Sequence, residues 1–274
     1  MHAISLIYHD VIEGSNTEAS GFPSPDAALY KLESAQFDLH LRAIANAIRE
    51  RPVTAGELTA GARRDRSLLL TFDDGGASAW THIAGRLESM GWRGHFFIPV
   101  SCIGTKAFMD REQIRDLHRR GHVIGSHSYS HPLRMAQCSW AELLHEWKVS
   151  TEVLSEILNG RIRIASLPGG EYSRQVAQAA ALAGIEILFT SEPTTKSKAV
   201  DGCLILGRYS VKRSTAPETA AAIATGHHVP RFTQKIFWNA RKVIKRMGGT
   251  HYLTIRTALI RKSESAAWNR KTKE

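Results

Sequence analysis

The sequence predicts an α/β fold assembled from parallel β/α units, and three observations carry that prediction. Short apolar runs alternate with longer stretches of helical periodicity; the helical stretches carry capping residues at their ends; and unusual polar groups stand directly after several of the apolar runs. Six runs read as strands: ISLIY (4–8), SLLLTF (67–72), HFFIPV (95–100), HVIGS (122–126), IRIASL (162–167) and IEILFT (185–190). Between them, ASAWTHIAGRLESM (77–90) has helical spacing. REQIRDLHRR (111–120) is bracketed by Asp110 as N-cap, Gln113 in the capping-box position and Gly121 as a stop. WAELLHEWKVSTEVLSEIL (140–158) opens on a second capping box, Ser139 with Glu142, and closes at Asn159–Gly160. SRQVAQAAALA (173–183) ends at Gly184. Residues 10–28 and 191–201 are polar loops, long enough to border a binding site.

Composition narrows the class. A chain of 274 residues accommodates one domain of barrel size, and 43% apolar with 23% charged residues is ordinary for a soluble globular protein. No uncharged apolar stretch reaches the roughly 18 residues of a membrane span. The start, MHAISLIYHD, lacks the features of a secretory signal. Cys102, Cys138 and Cys203 are odd in number and without metal-type spacing, which fits free thiols in a reducing compartment. A cytoplasmic protein is therefore expected. Residues 231–274 hold 12 Lys/Arg and 2 Glu, leaving 24 of each sign in the rest, from 36 and 26 overall. The main part of the chain is electrically neutral and does not read as a nucleic-acid binder. The composition shift near Pro230 divides the chain into an expected catalytic domain, 1–230, and a basic C-terminal extension, 231–274.

Four apolar runs end in chemistry-bearing groups: His9–Asp10, Asp73–Asp74, His127 to His131, and Pro168–Gly169–Gly170. In a parallel β/α barrel the C-terminal ends of all strands meet on one face, so these groups would surround one pocket. Adjacent carboxylates repel and stay ionised only where a cation, a donor or water compensates them. Taken alone, DDGG is most often a solvated turn. His127 and His131, separated by three residues, can both reach one cation, and with an oxygen of Asp74 they form the three-ligand set of catalytic zinc. Two imidazoles argue against a magnesium-based phosphoryl-transfer site.

TFDDG (71–75) and SHSYSH (126–131) resemble the first two motifs of the polysaccharide deacetylase family, of the carbohydrate esterase family 4 type. The similarity extends through GHVIGSHSYSHP and, more loosely, over residues 1–225. The resemblance implies a distorted (β/α) barrel, a divalent metal that is usually zinc, and hydrolysis of N-acetyl groups on amino sugars. It assigns Asp73 as general base and Asp74, His127 and His131 as metal ligands. One carboxylate of the pair then holds the cation while its neighbour takes a proton from the attacking water. Gly169 is the candidate backbone N–H for the oxyanion.

Two departures stand out. Common members carry an Arg two residues before the Pro of the third motif, where ASLPGG has Ser166. They also carry a late Leu-x-His motif, and LILGRYSV (204–211) has no His. YHDV (8–11) is similar to the N-terminal motif of the permuted branch, seen in poly-N-acetylglucosamine and exopolysaccharide-cluster deacetylases. That similarity assigns the general acid to His9; the alternative is a His that only caps its strand. Asp10 either orients His9 or is a turn residue. Arg208 is the candidate replacement for the missing Arg beside Asp73, or else part of a structural ion pair. Tyr172 is a candidate sugar platform, or else wall packing. Glu171 receives no role.

In RFTQKIFWNARKVIKRMGG (231–249), Phe232, Ile236, Ala240, Val243 and Met247 share one helical face bordered by Lys235, Arg241, Lys242, Lys245 and Arg246. Two readings are open: a helix docked on the barrel with its basic side in water, or a peripheral contact with an anionic membrane or glycan. The expected activity is removal of N-acetyl from amino sugars of a polysaccharide or of a lipid-linked precursor. Its rivals are hydrolysis of another small-molecule amide and an inactive barrel that only binds glycan.

Overall fold

The computed structural model describes residues 3–14, 16–60 and 67–248. In chain order the elements are β1 (Ala3–Tyr8), β2 (Val11–Ile12), α1 (Pro25–Ala28), β3 (Leu32–Glu33), α2 (Ser34–Ala47), α3 (Ala55–Thr59), β4 (Ser67–Phe72), α4 (Ala84–Ser89), β5 (His95–Ile98) and α5 (Arg111–Arg119). They continue with β6 (Val123–Ser126), α6 (Trp140–Leu158), β7 (Ile164–Ser166), α7 (Arg174–Leu182), β8 (Ile187–Phe189), β9 (Lys198–Val200), β10 (Cys203–Leu206), β11 (Tyr209–Ser210), α8 (Pro217–Ala224) and α9 (His228–Gly248).

Nine strands form one sheet in the order β11-β1-β4-β5-β6-β7-β8-β10-β9. Every neighbouring pair is parallel except β10 with β9. The sheet is a curled half-barrel, open in its hydrogen bonding yet closed by the chain. β10 pairs with β8 near one end of the order, and β11 pairs with β1 at the other. Only Gly207 and Arg208 lie between them, so Leu206 and Tyr209 are at most ~11 Å apart. The curl brings the two ends together at Arg208.

Alternation along the strands sorts the core into layers. Ile4, Leu6, Tyr8, Leu68, Leu70, Phe72 and Phe96 face the outer helices, with Tyr8 stacked on Phe72 and Phe72 on Phe96 at 5.6 and 5.1 Å. Leu69, Phe97, Ile164, Ile187, Phe189 and Leu206 fill the interior together with Val53, Ala55 and Leu58 around α3. That apolar plug leaves the residues just after the strand ends to carry the polar groups.

The six expected strands and four expected helices all form, and both capping boxes close as read: Asp110 with Gln113 and Ser139 with Glu142. Asn159 ends α6 in the left-handed conformation. The strand expected over 95–100 stops at Ile98, ahead of Pro99. Helix α2 is an addition; its buried Phe37, Leu41 and Ile44 are spaced for a helix face. Within the expected loop 191–201 lies β9, and LILGRYSV supplies β10 and β11.

Helix α9 runs across residue 230 and docks on the barrel. The Gln234 amide accepts from the Ser210 N–H (3.0 Å) and donates to the Ser210 carbonyl (2.9 Å), satisfying the backbone of edge strand β11. Arg231 lies over the Tyr209 ring. The apolar face read from the sequence is not the docked one: Phe232 is 64% and Ile236 51% exposed, with Phe237 at 65%. The side chains of residues 241–248, and all of 249–274, lie outside the described residues.

Candidate functional site

Strand register brings the first pieces together. Tyr8 and Phe72 are partners in β1 and β4 and both point outward. The residues that follow, His9 and Asp73, therefore turn inward at one level of the barrel mouth. The Asp73 N–H donates to the Tyr8 carbonyl at 3.0 Å. Asp74 then takes φ 73°, a left-handed conformation that Asp tolerates better than most residues. Two consecutive carboxylates thus leave the strand in different directions. Gly76 is needed for a further reason: a Cβ there would stand 2.0 Å from Oδ1 of Asp10.

Asp74, His127 and His131 converge. Oδ1 of Asp74 lies 3.4 Å from Nε2 of each histidine, and one ligand atom from each residue falls within 4.8 Å of the others. Nδ1 of His127 is 2.9 Å from the Ser166 carbonyl, which only accepts, so that nitrogen carries the proton and Nε2 presents a lone pair to the group. Helix α6 holds the histidine loop through buried Glu146. Its Oε2 accepts from the Tyr129 and Ser130 N–H groups at 2.9 Å each, and its Oε1 from the Ser130 hydroxyl at 2.5 Å. His131 is set by its N–H to Oγ of Ser128 at 3.0 Å. Burial alone would raise the Asp74 carboxyl, but His127 and His131 outweigh it and hold it well below the usual carboxylate range. Burial alone would lower His127, and the charges of Asp73 and Asp74 push it up instead. This negative, convergent set of two imidazoles and a carboxylate fits a divalent cation.

Beneath it, Asp73 is gripped from the far end of the chain. Arg208, fully buried, places Nη1 2.7 Å from Oδ1 and Nη2 2.9 Å from Oδ2. Its Nε donates to the Thr190 carbonyl (3.1 Å) and its Nη2 also to the Ser166 hydroxyl (2.6 Å), which in turn donates to Asp73 Oδ2 (2.9 Å). Ser166, where the motif would have Arg, thus makes room for a guanidinium arriving from the β10–β11 seam. Burial pushes the Asp73 carboxyl up, yet Arg208 and His127 together hold it below its ordinary value. Asp73 is ionised. An ionised carboxylate has about four acceptor directions, of which these contacts occupy three.

His9 stands near both Asp73 and Asp74 and adds to what holds their carboxyls down. Its ring packs on Tyr30 (4.7 Å between centroids), and its Nδ1 is buried without a hydrogen-bond partner among the described residues. Asp10 has the turn role: its Oδ1 accepts from the hydroxyls of Ser20 (2.6 Å) and Ser78 (2.7 Å). Burial, followed by the charge of Asp74, pushes the Asp10 carboxyl up against those two hydrogen bonds. The loop 10–28 does border the site. Buried Lys31 donates to the carbonyls of Thr17, Ser20 and Phe22, and the Phe22 ring lies 4.7 Å from that of His131.

Gly169 sits in the third-motif loop at φ 65°, where a Cβ would meet the Leu133 carbonyl at 2.3 Å. Tyr172 packs against the cluster around Trp147 and Leu167, and the Lys198 ammonium stands 3.8 Å from its ring centroid. Sequence reading passed over Lys31, Glu146 and the double role of Ser166. The only signal for Glu146 was a carboxylate at a position of α6 whose neighbours Leu143, Trp147 and Ser150 are also buried.

Comparison with known proteins agrees with this arrangement. A polysaccharide deacetylase family model matches residues 60–188. YxkH of Bacillus subtilis, a candidate polysaccharide deacetylase, is 25% identical over 134 residues. That match covers 49% of this chain and 48% of YxkH, so the chain spans about half the length of the curated relative. Among solved structures, the Streptococcus pyogenes deacetylase PplD in complex with acetate superposes with a TM-score of 0.68 at 19% identity, covering 83% of this chain and 99% of the other. IcaB from Ammonifex degensii superposes at 0.67 and 22% identity, covering 82% and 97%. These two likenesses concern the fold.

Proposed function

We propose, on the premise that residues 60–188 match the polysaccharide deacetylase family model, that the chain hydrolyses the acetamide of an N-acetylated amino sugar in a glycan or a glycan precursor. The observation that carries this reading is the placement of an ionised, Arg-gripped Asp73 next to the convergent Asp74, His127 and His131. Asp74, His127 and His131 would hold a divalent ion, for which zinc suits the donor set, and a bound ion would polarise the acetamide carbonyl and acidify a water.

The chain's own residues supply the proton transfers. Asp73 uses its remaining acceptor direction to take a proton from the attacking water, while Arg208 and Ser166 fix its orientation. His9, entering from the neighbouring strand, donates a proton to the leaving amine. Gly169 offers its N–H to the developing oxyanion. Tyr172 lines the wall, with the Lys198 ammonium over its ring. Acetate release by metal-loaded protein from N-acetylglucosamine polymers, nucleotide sugars and lipid-linked sugars tests the reading. Saccharide binding with no acetate released from any of them would make the protein a binder instead.

A second reading concerns place of action. Among the described residues no helix is long and apolar enough to cross a membrane. Helix α9, however, turns Val229, Phe232, Ile236 and Phe237 to solvent where the chain enters residues 231–274, which carry its whole excess of positive charge. That combination suits peripheral attachment to an anionic membrane, where apolar rings enter the interface and Lys/Arg meet lipid phosphates. A lipid-linked substrate would be met at the same surface.

A further inference from the structure

A second feature lies along the C-terminal helix. Between α9 and residues 190–198 is a cleft of about 220 Å³, lined among others by Thr190, Glu192, Lys196, Lys198, Gly207 and Lys235. We propose that this cleft binds an anionic group of the substrate, a phosphate or a carboxylate carried next to the N-acetylated sugar. The inference deepens the deacetylase reading and rests on it.

Three observations converge. The first is charge. Three lysines and one carboxylate, Glu192, line the cleft in a molecule whose residues 1–230 are neutral overall, and the Lys198 ammonium rests over the Tyr172 ring. Among the described residues none of the three lysines lies within ion-pair distance of a carboxylate. Lysine ammoniums are compact point charges suited to phosphate and carboxylate oxygens.

The second is position. The Thr190 carbonyl, in the cleft wall, accepts from Arg208 Nε, and the same guanidinium grips Asp73. Gly207 immediately precedes Arg208. The cleft wall is therefore tied to Asp73 through one buried guanidinium.

The third is rigidity. Lys235 stands on α9 next to Gln234, whose amide brackets the Ser210 backbone. One turn later the Trp238 indole rests on Gly170, 3.1 Å from where a Cβ would be, with Ser191 on the other side. The second glycine of the Pro-Gly-Gly motif is thus a notch for the C-terminal helix. Through that notch α9 is fixed against the mouth, and Lys235 with it.

The test compares the metal-loaded wild type with a Lys196→Ala, Lys198→Ala, Lys235→Ala variant. Substrates are an N-acetylhexosamine 1-phosphate, an N-acetylated oligomer containing uronate, and an uncharged N-acetylhexosamine tetramer. The expected result is an approximately tenfold rise in the ratio of KM for a charged substrate to KM for the uncharged one, and weaker salt dependence of that ratio. Which charged substrate responds distinguishes phosphate from carboxylate. An unchanged ratio for both would overturn the proposal while leaving deacetylation standing. Binding of glucose 1-phosphate, which has no acetyl group, gives a readout independent of turnover. Loss of that binding in the lysine variant supports the cleft even if no substrate releases acetate. Equal binding by both proteins overturns it as well.

Discussion

Arg208 and Asp73 meet in a two-pronged contact, 2.7 and 2.9 Å long, across 135 positions of sequence. The pair is buried and shared with Ser166, so neither partner has water to fall back on. Removing one member leaves an uncompensated charge in the interior. Arg208→Ala should therefore lower unfolding free energy by about 3–5 kcal/mol. Arg208→Lys, which keeps the charge without the fork, should recover part of it. A loss below about 1 kcal/mol in urea unfolding of the Ala variant would mean the pair does not hold the seam.

Asp74→Ala and His127→Ala should each lose metal and turnover together, because each takes one ligand from a three-ligand set. Asp73→Asn should keep its metal and lose turnover, since the amide has the shape of the base without its charge. Metal content by atomic emission, read beside acetate release, separates the two classes. Near-normal acetate release by Asp73→Asn would show that the division of labour between the two aspartates is wrong.

His9→Ala should depress turnover by about 10²- to 10⁴-fold with metal content unchanged, the usual range for a general acid. A substrate with a better leaving amine should recover part of the rate. A variant defective equally on both substrates would assign His9 to structure.

Stability should fall as pH drops from neutrality, and His95 is one identifiable cause. Its Nδ1 donates to the Leu70 carbonyl and its Nε2 accepts from the Ala55 N–H, so the folded state requires the neutral ring. Burial, the dominant effect, pushes its pKa from 6.5 down to about 4. The unfolded chain binds the proton first, so the contribution is complete above pH 6.5 and is lost as pH falls towards about 4. The loss amounts to roughly 2–4 kcal/mol. His95→Gln, which can both donate and accept there, should flatten this part of the pH profile. An identical slope in the two proteins would exclude His95 as the cause.

Phe232→Ser with Phe237→Ser should weaken binding to vesicles containing anionic lipid while leaving the docked side of α9, Gln234 and Trp238, intact. Binding by the unaltered protein should fall as salt rises. Salt-independent binding, or none at all, would leave the exposed stripe without a membrane role. Truncation after Pro230 is a poorer test, because it would also strip the Gln234 bracket from β11.

The sequence by itself determined the parallel β/α architecture, both capping boxes and the metal-type set Asp74, His127 and His131. The first two are written in short-range order, as alternation within a strand and an N-cap three residues from its partner, and the two histidines share one loop; Asp74 meets them only because β4 and β6 end on one face of the sheet. The same local logic placed His9 and Asp73 at strand ends, and parallel pairing of β1 with β4 then made them neighbours. Arg208 was legible only as a candidate. Its reach to Asp73 depends on the curl that lets one strand, broken at Gly207–Arg208, pair with both ends of the sheet. Lys31 and Glu146 were invisible for a similar reason, since they act on loop backbone groups far from them in sequence. Tertiary structure alone decided which way α9 faces. Its periodicity offers an apolar stripe and a polar one, and hydrophobicity favours burying the first. The barrel instead presents an unpaired edge strand, which needs an amide, and a glycine notch, which needs a ring. Gln234 and Trp238 meet those needs, and the helix turns its phenylalanines outward.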